Sequence, residues 1–127
     1  MLDHIGFSTA DFARAKAFYQ KALAPLGVRL LMEVTPEMTG GGAHAGFGED
    51  RPYFWIGTGK QQVPGIHVAF AAPDRKTVDR FHAAALAAGG RDNGPPGLRP
   101  HYHPNYYGAF VLDPDGHNIE AVCHAPA

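Results

Sequence analysis

Leu2-Asp3-His4-Ile5-Gly6-Phe7 and Gly65-Ile66-His67-Val68-Ala69-Phe70 are two versions of one pattern, with His67 lying 63 positions after His4. That offset is about half of the 127-residue chain. Carried forward, it sets Asp11 on Asp74, Phe18 on Phe81, Ala22 on Ala85, Leu23 on Leu86 and Gly27 on Gly90. Agreement at one fixed offset marks a duplicated unit. Within each copy the repeated hexapeptide alternates and carries β-branched or aromatic residues, which predicts strands over 2–8 and 65–71. Asp11 and Asp74 stand where a helix N-cap belongs, and Pro73 closes the strand before the second of them. Ala15, Phe18, Ala22 and Leu23 then fall on one helical face, as do Val78, Phe81, Ala85 and Leu86. Gly27 and Gly89-Gly90 end the two helices.

Strand-like segments follow each helix. In the first copy they run over about 28–34, 43–48 and 52–58, divided by Thr39-Gly40-Gly41-Gly42 and Glu49-Asp50-Arg51-Pro52. In the second, Gly108 to Leu112 and His117 to Val122 flank Asp113-Pro114-Asp115-Gly116, whose residues favour a tight turn. The stretch from Asn93 to Asn105 reads as a short strand inside a long loop. The expected fold is α+β: two βαβββ modules, one over about 1–60 and the other over about 64–124, forming a cupped, mixed β-sheet within a single domain spanning 1–127.

Composition narrows the function. Eleven Lys and Arg against twelve Asp and Glu give a net charge of −1. Such a balance creates no field to gather phosphates or anionic lipid, so neither nucleic acid nor a membrane is an expected partner. No apolar run approaches membrane-spanning length, and the start has no basic region followed by an apolar stretch, so the expected location is the cytoplasm. Cys123 is the sole cysteine. It can make neither an internal disulfide nor a thiolate cluster, so a metal would need nitrogen and oxygen ligands.

Side chains alternate across a strand, so residues of equal parity show what lies beside a candidate ligand. Leu2 and Gly6 flank His4, Gly65 and Ala69 flank His67, and Asn118 and Val122 flank Glu120. The small neighbours leave room. The opposite parity, Ile5, Phe7, Val68, Phe70, Ile119 and Ala121, is apolar and belongs under the helices. An approximate two-fold axis can bring the two histidines together, and Glu120 on the last strand completes two imidazoles and one carboxylate. That set suits one divalent metal with open positions, whether Zn, Fe, Mn, Ni or Co.

His4-Ile5-Gly6-Phe7, its echo His67-Val68-Ala69-Phe70, and Asp113-Pro114-Asp115-Gly116-His117-Asn118-Ile119-Glu120 resemble the vicinal oxygen chelate superfamily over nearly the whole chain. This is the group of glyoxalase I, extradiol dioxygenases, fosfomycin-resistance enzymes and bleomycin-resistance proteins. The resemblance implies that His4, His67 and Glu120 are metal ligands, that the protein is a homodimer, and that its substrate is a small molecule. Two departures follow from the same comparison. Glyoxalase I has a fourth ligand at the counterpart of Glu120, where the offset of 63 gives Gly57; its neighbours Phe54, Trp55, Ile56 and Thr58 offer no carboxylate or imidazole. The catalytic tyrosine of the ring-cleaving dioxygenases would fall near Phe110, which has no hydroxyl.

His101, His103, Tyr106 and Tyr107 crowd a loop expected to fold over the metal, with His101, His103 and Tyr106 as candidates for a general acid or base. Phe47, Tyr53 and Trp55 fall where the cup wall belongs and read as core rather than as substrate contacts. His44, His82, His117 and His124 read as surface or turn residues, and Cys123, of opposite parity to Glu120, as packing away from the metal. Two readings of function follow. One is a metal-dependent lyase, isomerase or dioxygenase that holds vicinal oxygens on the metal; the other is a metal-free protein that sequesters a small ligand, as bleomycin-resistance proteins do.

Overall fold

A computed structural model describes residues 2–59 and 66–127. The first half runs β1 (Ile5–Thr9), α1 (Phe12–Ala22), β2 (Arg29–Val34), the short α2 (Pro36–Thr39), β3 (His44–Gly48) and β4 (Pro52–Thr58). The second runs β5 (His67–Ala71), α3 (Arg75–Ala87), β6 (Arg91–Leu98), β7 (Tyr107–Leu112) and β8 (Asn118–Cys123). Each half makes its own four-stranded mixed sheet, ordered β1-β4-β3-β2 and β5-β8-β7-β6. The first strand of each half is thus an edge, paired in parallel with the last strand of its half. Gly65, expected beside His67, lies outside the described residues. No helix among the described residues is long and apolar enough to cross a membrane.

The helices form where the pattern placed them. Asp11 and Asp74 cap them by accepting from the backbone N–H groups of Arg14 and Thr77. These bonds satisfy amide groups that have no partner inside the helix. The Thr77 contacts hold the Asp74 carboxyl below its usual range. Phe18 and Tyr19 of α1 and Val78 and Phe81 of α3 are buried, and the two helices pack on each other. Two features went unread in the sequence: α2, which Pro36 opens and Gly40 closes at φ 70°, and the full length of β6. β6 runs through Pro95 and Pro96 because it is an edge strand with register shifts, where a missing N–H costs little.

One continuous core joins the halves. Phe54 on β4 meets Phe7, Tyr19 and Phe70 edge-on at centroid distances of 5.5, 4.9 and 5.3 Å. The turn 113–116 adds a polar brace. Asp113, 2 % exposed, accepts from the Tyr19 hydroxyl at 2.5 Å and from the backbone N–H groups of Asp115 and His117. Asp115 accepts from the Thr9 hydroxyl at 2.5 Å and from the Ala10 N–H. Burial, with the Asp113 carboxylate beside it, pushes the Tyr19 hydroxyl well above its ordinary range, so it stays a donor. His117, expected at the surface or in a turn, does follow the turn but is fully buried, its ring 4.8 Å from that of Phe7. The turn that carries it is pressed into the joint between the halves rather than left in solvent.

Losing Asp113 strands three donors, and each unpaired buried group costs about 1–3 kcal/mol. Asp113→Ala is expected to lower the unfolding free energy by about 3 kcal/mol, measured by urea denaturation. A loss within ~0.5 kcal/mol, the usual range for a surface substitution, would show that the brace contributes little.

Candidate metal centre

Glu120 sits on β8 with Ala69 of β5 on one side and Phe110 of β7 on the other, on the sheet face turned away from the helices. It is only 1 % exposed, and a carboxylate so placed must find partners. It has two. The His67 Nε2 lies 2.8 Å from Oε1, and the Tyr106 hydroxyl donates to Oε2. Gly108 leaves room for both, since a Cβ there would stand 3.2 Å from the Tyr106 ring and 3.3 Å from Oε2. Burial, followed by the hydrogen bond to Glu120, drives the Tyr106 hydroxyl far above an ordinary tyrosine's range. It therefore remains protonated and holds the carboxylate in one orientation.

His67, Glu120 and Tyr106 open on a cavity of about 450 Å³ whose other walls are Tyr102, His103 and Phe110. His103 has both ring nitrogens committed. Its Nδ1 accepts from the Asn105 N–H at 3.1 Å, so its proton belongs on Nε2, which faces the His124 Nδ1 at 2.7 Å. This ties the loop to the chain after β8, and it gives His124 a partner that its sequence context did not suggest. His101 packs against Tyr102, the rings tilted with centroids 4.2 Å apart, and does not line the cavity. Tyr107 points elsewhere, donating to Asp79 at 2.6 Å. Of the loop candidates, Tyr106 alone bonds to a candidate ligand. Tyr102 was missed because nothing in its spacing marks it, whereas Phe110 could have been found as the cross-strand neighbour of Glu120.

His4 stands apart within one chain. Its side chain is 60 % exposed and its Nδ1 is 2.8 Å from an Asp3 oxygen. That hydrogen bond, with Arg51 nearby, holds the Asp3 carboxyl below its usual range. His4 lines a separate, largely apolar groove of about 330 Å³ between the β1 and β5 edges, with Leu2, Tyr53, Val68 and Phe70. Among the described residues, no three His, Cys, Asp or Glu side chains are grouped to hold a metal ion. The expected triad is therefore not assembled by a single copy; only its His67 and Glu120 pair is.

The register also moves one expected position. Gly6 pairs with Trp55, while Ala69 pairs with Glu120. The counterpart of Glu120 is thus Trp55 rather than Gly57, because the second half holds two more residues between the paired positions. Trp55 offers no metal ligand, so the first half still lacks a fourth one. Its indole lies across β3, so that a Cβ on Gly46 would come within 2.7 Å of it. Phe47 is core as expected, fully buried, but Trp55 is on the outer face. Cys123 is buried in the core, away from Glu120.

The donors present fit part of a metal site. The imidazole nitrogen and carboxylate oxygen converge at the cavity wall, and they are the ligand types that zinc and other first-row divalent ions take. Two are too few, since catalytic sites of this type take three protein ligands.

The Glyoxalase/Bleomycin resistance protein/Dioxygenase superfamily profile matches residues 1–121. No curated protein matches the chain. Among solved structures, a glyoxalase/bleomycin resistance protein from Albidiferax ferrireducens T118 is 27 % identical, with a TM-score of 0.81 over 98 % of this chain and 99 % of the other. A fosfomycin resistance protein from Listeria monocytogenes, solved with Mn(II) and 1S,2S-dihydroxypropylphosphonic acid, shares the fold at 19 % identity and a TM-score of 0.69, over 96 % of this chain and 88 % of the other. Glyoxalase I from Zea mays does so at 20 % and 0.72; 99 % of this chain matches 45 % of that one. The paired βαβββ halves and the profile match together place the chain in the Glyoxalase/Bleomycin resistance protein/Dioxygenase superfamily.

Proposed function

We propose that the protein is a metal-dependent enzyme acting on a small molecule with adjacent oxygens, and that its site forms between two copies. His67 and Glu120 of one copy and His4 of the second would hold the metal. The observation that carries this reading is the split set: two ligands converge in the second half, while the third lies beyond an edge strand of the first half. A symmetric dimer that sets the first sheet of each copy against the second sheet of its partner would complete two identical sites. It would also cover the β1 and β5 edges, whose unpaired backbone groups invite pairing. A fosfomycin resistance protein of the same fold was solved with Mn(II) and a vicinal diol, which supports the metal and the adjacent oxygens of this reading.

A divalent ion so held supplies a Lewis acid to two neighbouring oxygens. The chain's own residues do the rest. Tyr106 fixes the Glu120 carboxylate through Oε2, an orienting bond of the sort that tunes a ligand from behind. Tyr102 and Phe110 give the cavity aromatic walls. No carboxylate stands at Trp55 to act as the base of a glyoxalase reaction. A second reading, metal-free sequestration of a small ligand, is favoured by one observation: His67 and Tyr106 already satisfy the buried Glu120 without a metal.

Elemental analysis of the purified protein separates the two readings. The expected result is close to one divalent ion per chain, lost in His4→Ala, His67→Ala and Glu120→Ala. Full metal content in Glu120→Ala would remove that residue from the site, and no metal in the wild type would leave sequestration. Tyr106→Phe should keep the fold and weaken metal affinity by about 10–100-fold in a chelator competition. Turnover of the glutathione hemithioacetal of methylglyoxal should be weak or absent; vigorous turnover would show that another residue supplies the base.

A further inference from the structure

The outer face of the first sheet carries a second imidazole. His44 on β3 pairs in register with Gly57 on β4, which in turn pairs with Ser8 on β1. The three therefore share the outward face with Gly6 and Trp55. His44 is exposed, and its ring lies over Gly57, so that a Cβ there would stand 2.5 Å from Nδ1 and 2.9 Å from Cε1. With Ser8, Trp55 and Gly57 it bounds a cleft of about 240 Å³. Among the described residues its ring nitrogens make no hydrogen bond. A neutral imidazole offers one donor and one acceptor, and both are open here.

Charge narrows what such a cleft takes. No lysine or arginine lines it, and none lines the cavity at His67 and Glu120. Arg99 donates to the carbonyls of Gly97 and Pro95 and lies over Phe110, and Arg51, in the groove beside His4, is paired with Asp3 at 3.5 Å. A phosphate or phosphonate group, which calls for cationic partners, is poorly served by either wall. A flat ring is well served, by Trp55 on one wall and by Tyr102 and Phe110 on the other.

We propose that His44 is a substrate-binding residue: it hydrogen-bonds an oxygen of a neutral or singly charged, ring-bearing ligand whose ring packs on Trp55. This rests on the two-copy site above, which brings the cleft of one copy against the His67–Glu120 cavity of the other. His44 can lie where it does because position 57 is a glycine.

Trp55 is the only tryptophan in the chain, so its fluorescence reports the cleft directly. Benzohydroxamate, which joins a flat ring to two adjacent oxygens, is the probe, titrated into the metal-loaded protein by fluorescence and by calorimetry. The expected result is a change in Trp55 emission that tracks the calorimetric binding. Affinity should fall about tenfold in His44→Gln, the size of one hydrogen bond to a charged group. Gly57→Ala, whose new Cβ displaces the ring, should fall by a similar factor, and both variants should keep the metal content of the wild type. Acetohydroxamate, which lacks the ring, should bind more weakly than benzohydroxamate, and phosphonoformate should gain nothing from its extra charge. Calorimetric binding with silent Trp55 emission, equal affinity in His44→Gln, or loss of metal in that variant would each overturn the assignment of His44. Absence of metal, or of any binding to the metal-loaded wild type, would instead sink the two-copy site on which it stands.

Discussion

Two buried carboxylates on one turn decide how the halves of this protein face each other. Asp113 and Asp115 belong to the second half, yet they take hydrogen bonds from Tyr19 and Thr9 of the first, each at 2.5 Å. A carboxylate removed from water needs such partners, and here they lie across the joint between modules. The brace acts with the Phe7, Phe54 and Phe70 cluster to press both halves together on their helix sides. His117 shares that constraint, buried against Phe7. The outer face of each sheet is left open as a consequence.

The candidate site follows from that orientation. Glu120 is outward on β8, sealed by its neighbours but opening at His67 onto a cavity. Gly108 admits the Tyr106 ring, and Tyr106 turns the carboxylate toward His67. His4 is on the other half, beyond the edge strand β1, where the intramolecular brace does not bring it to Glu120. The same packing that makes one core thus divides the proposed ligand set, and a second copy is the simplest means of reuniting it.

Much of this was legible in the sequence because duplication makes a pattern visible twice. The two N-caps, the two amphipathic helices and the turn 113–116 depend on local chemistry, which periodicity and residue type reveal. The inward side chains Ile5, Phe7, Val68, Phe70, Ile119 and Ala121 obey strand parity, and Cys123 follows the same rule. What could not be read depends on relations between distant strands. A fixed offset cannot register two extra residues in one half, so Trp55 rather than Gly57 occupies the position that corresponds to Glu120. Nor can parity tell that His44 folds over Gly57, that His103 spends both nitrogens on Asn105 and His124, or that His4 and Glu120 lie apart in one copy. β6 was shortened in the reading because its prolines suggest a loop unless its edge position is known.

The central claim is that one metal site draws ligands from two chains, and subunit complementation tests it. His4→Ala and His67→Ala are each expected to bind no metal alone. Unfolded together and refolded as a mixture, they form mixed dimers in which the intact His4 of one chain meets the intact His67 and Glu120 of the other. Elemental analysis of the mixture should then recover metal that neither variant binds by itself. A mixture that exchanges subunits yet remains empty would contradict the account, because a site built within one chain stays broken in every combination.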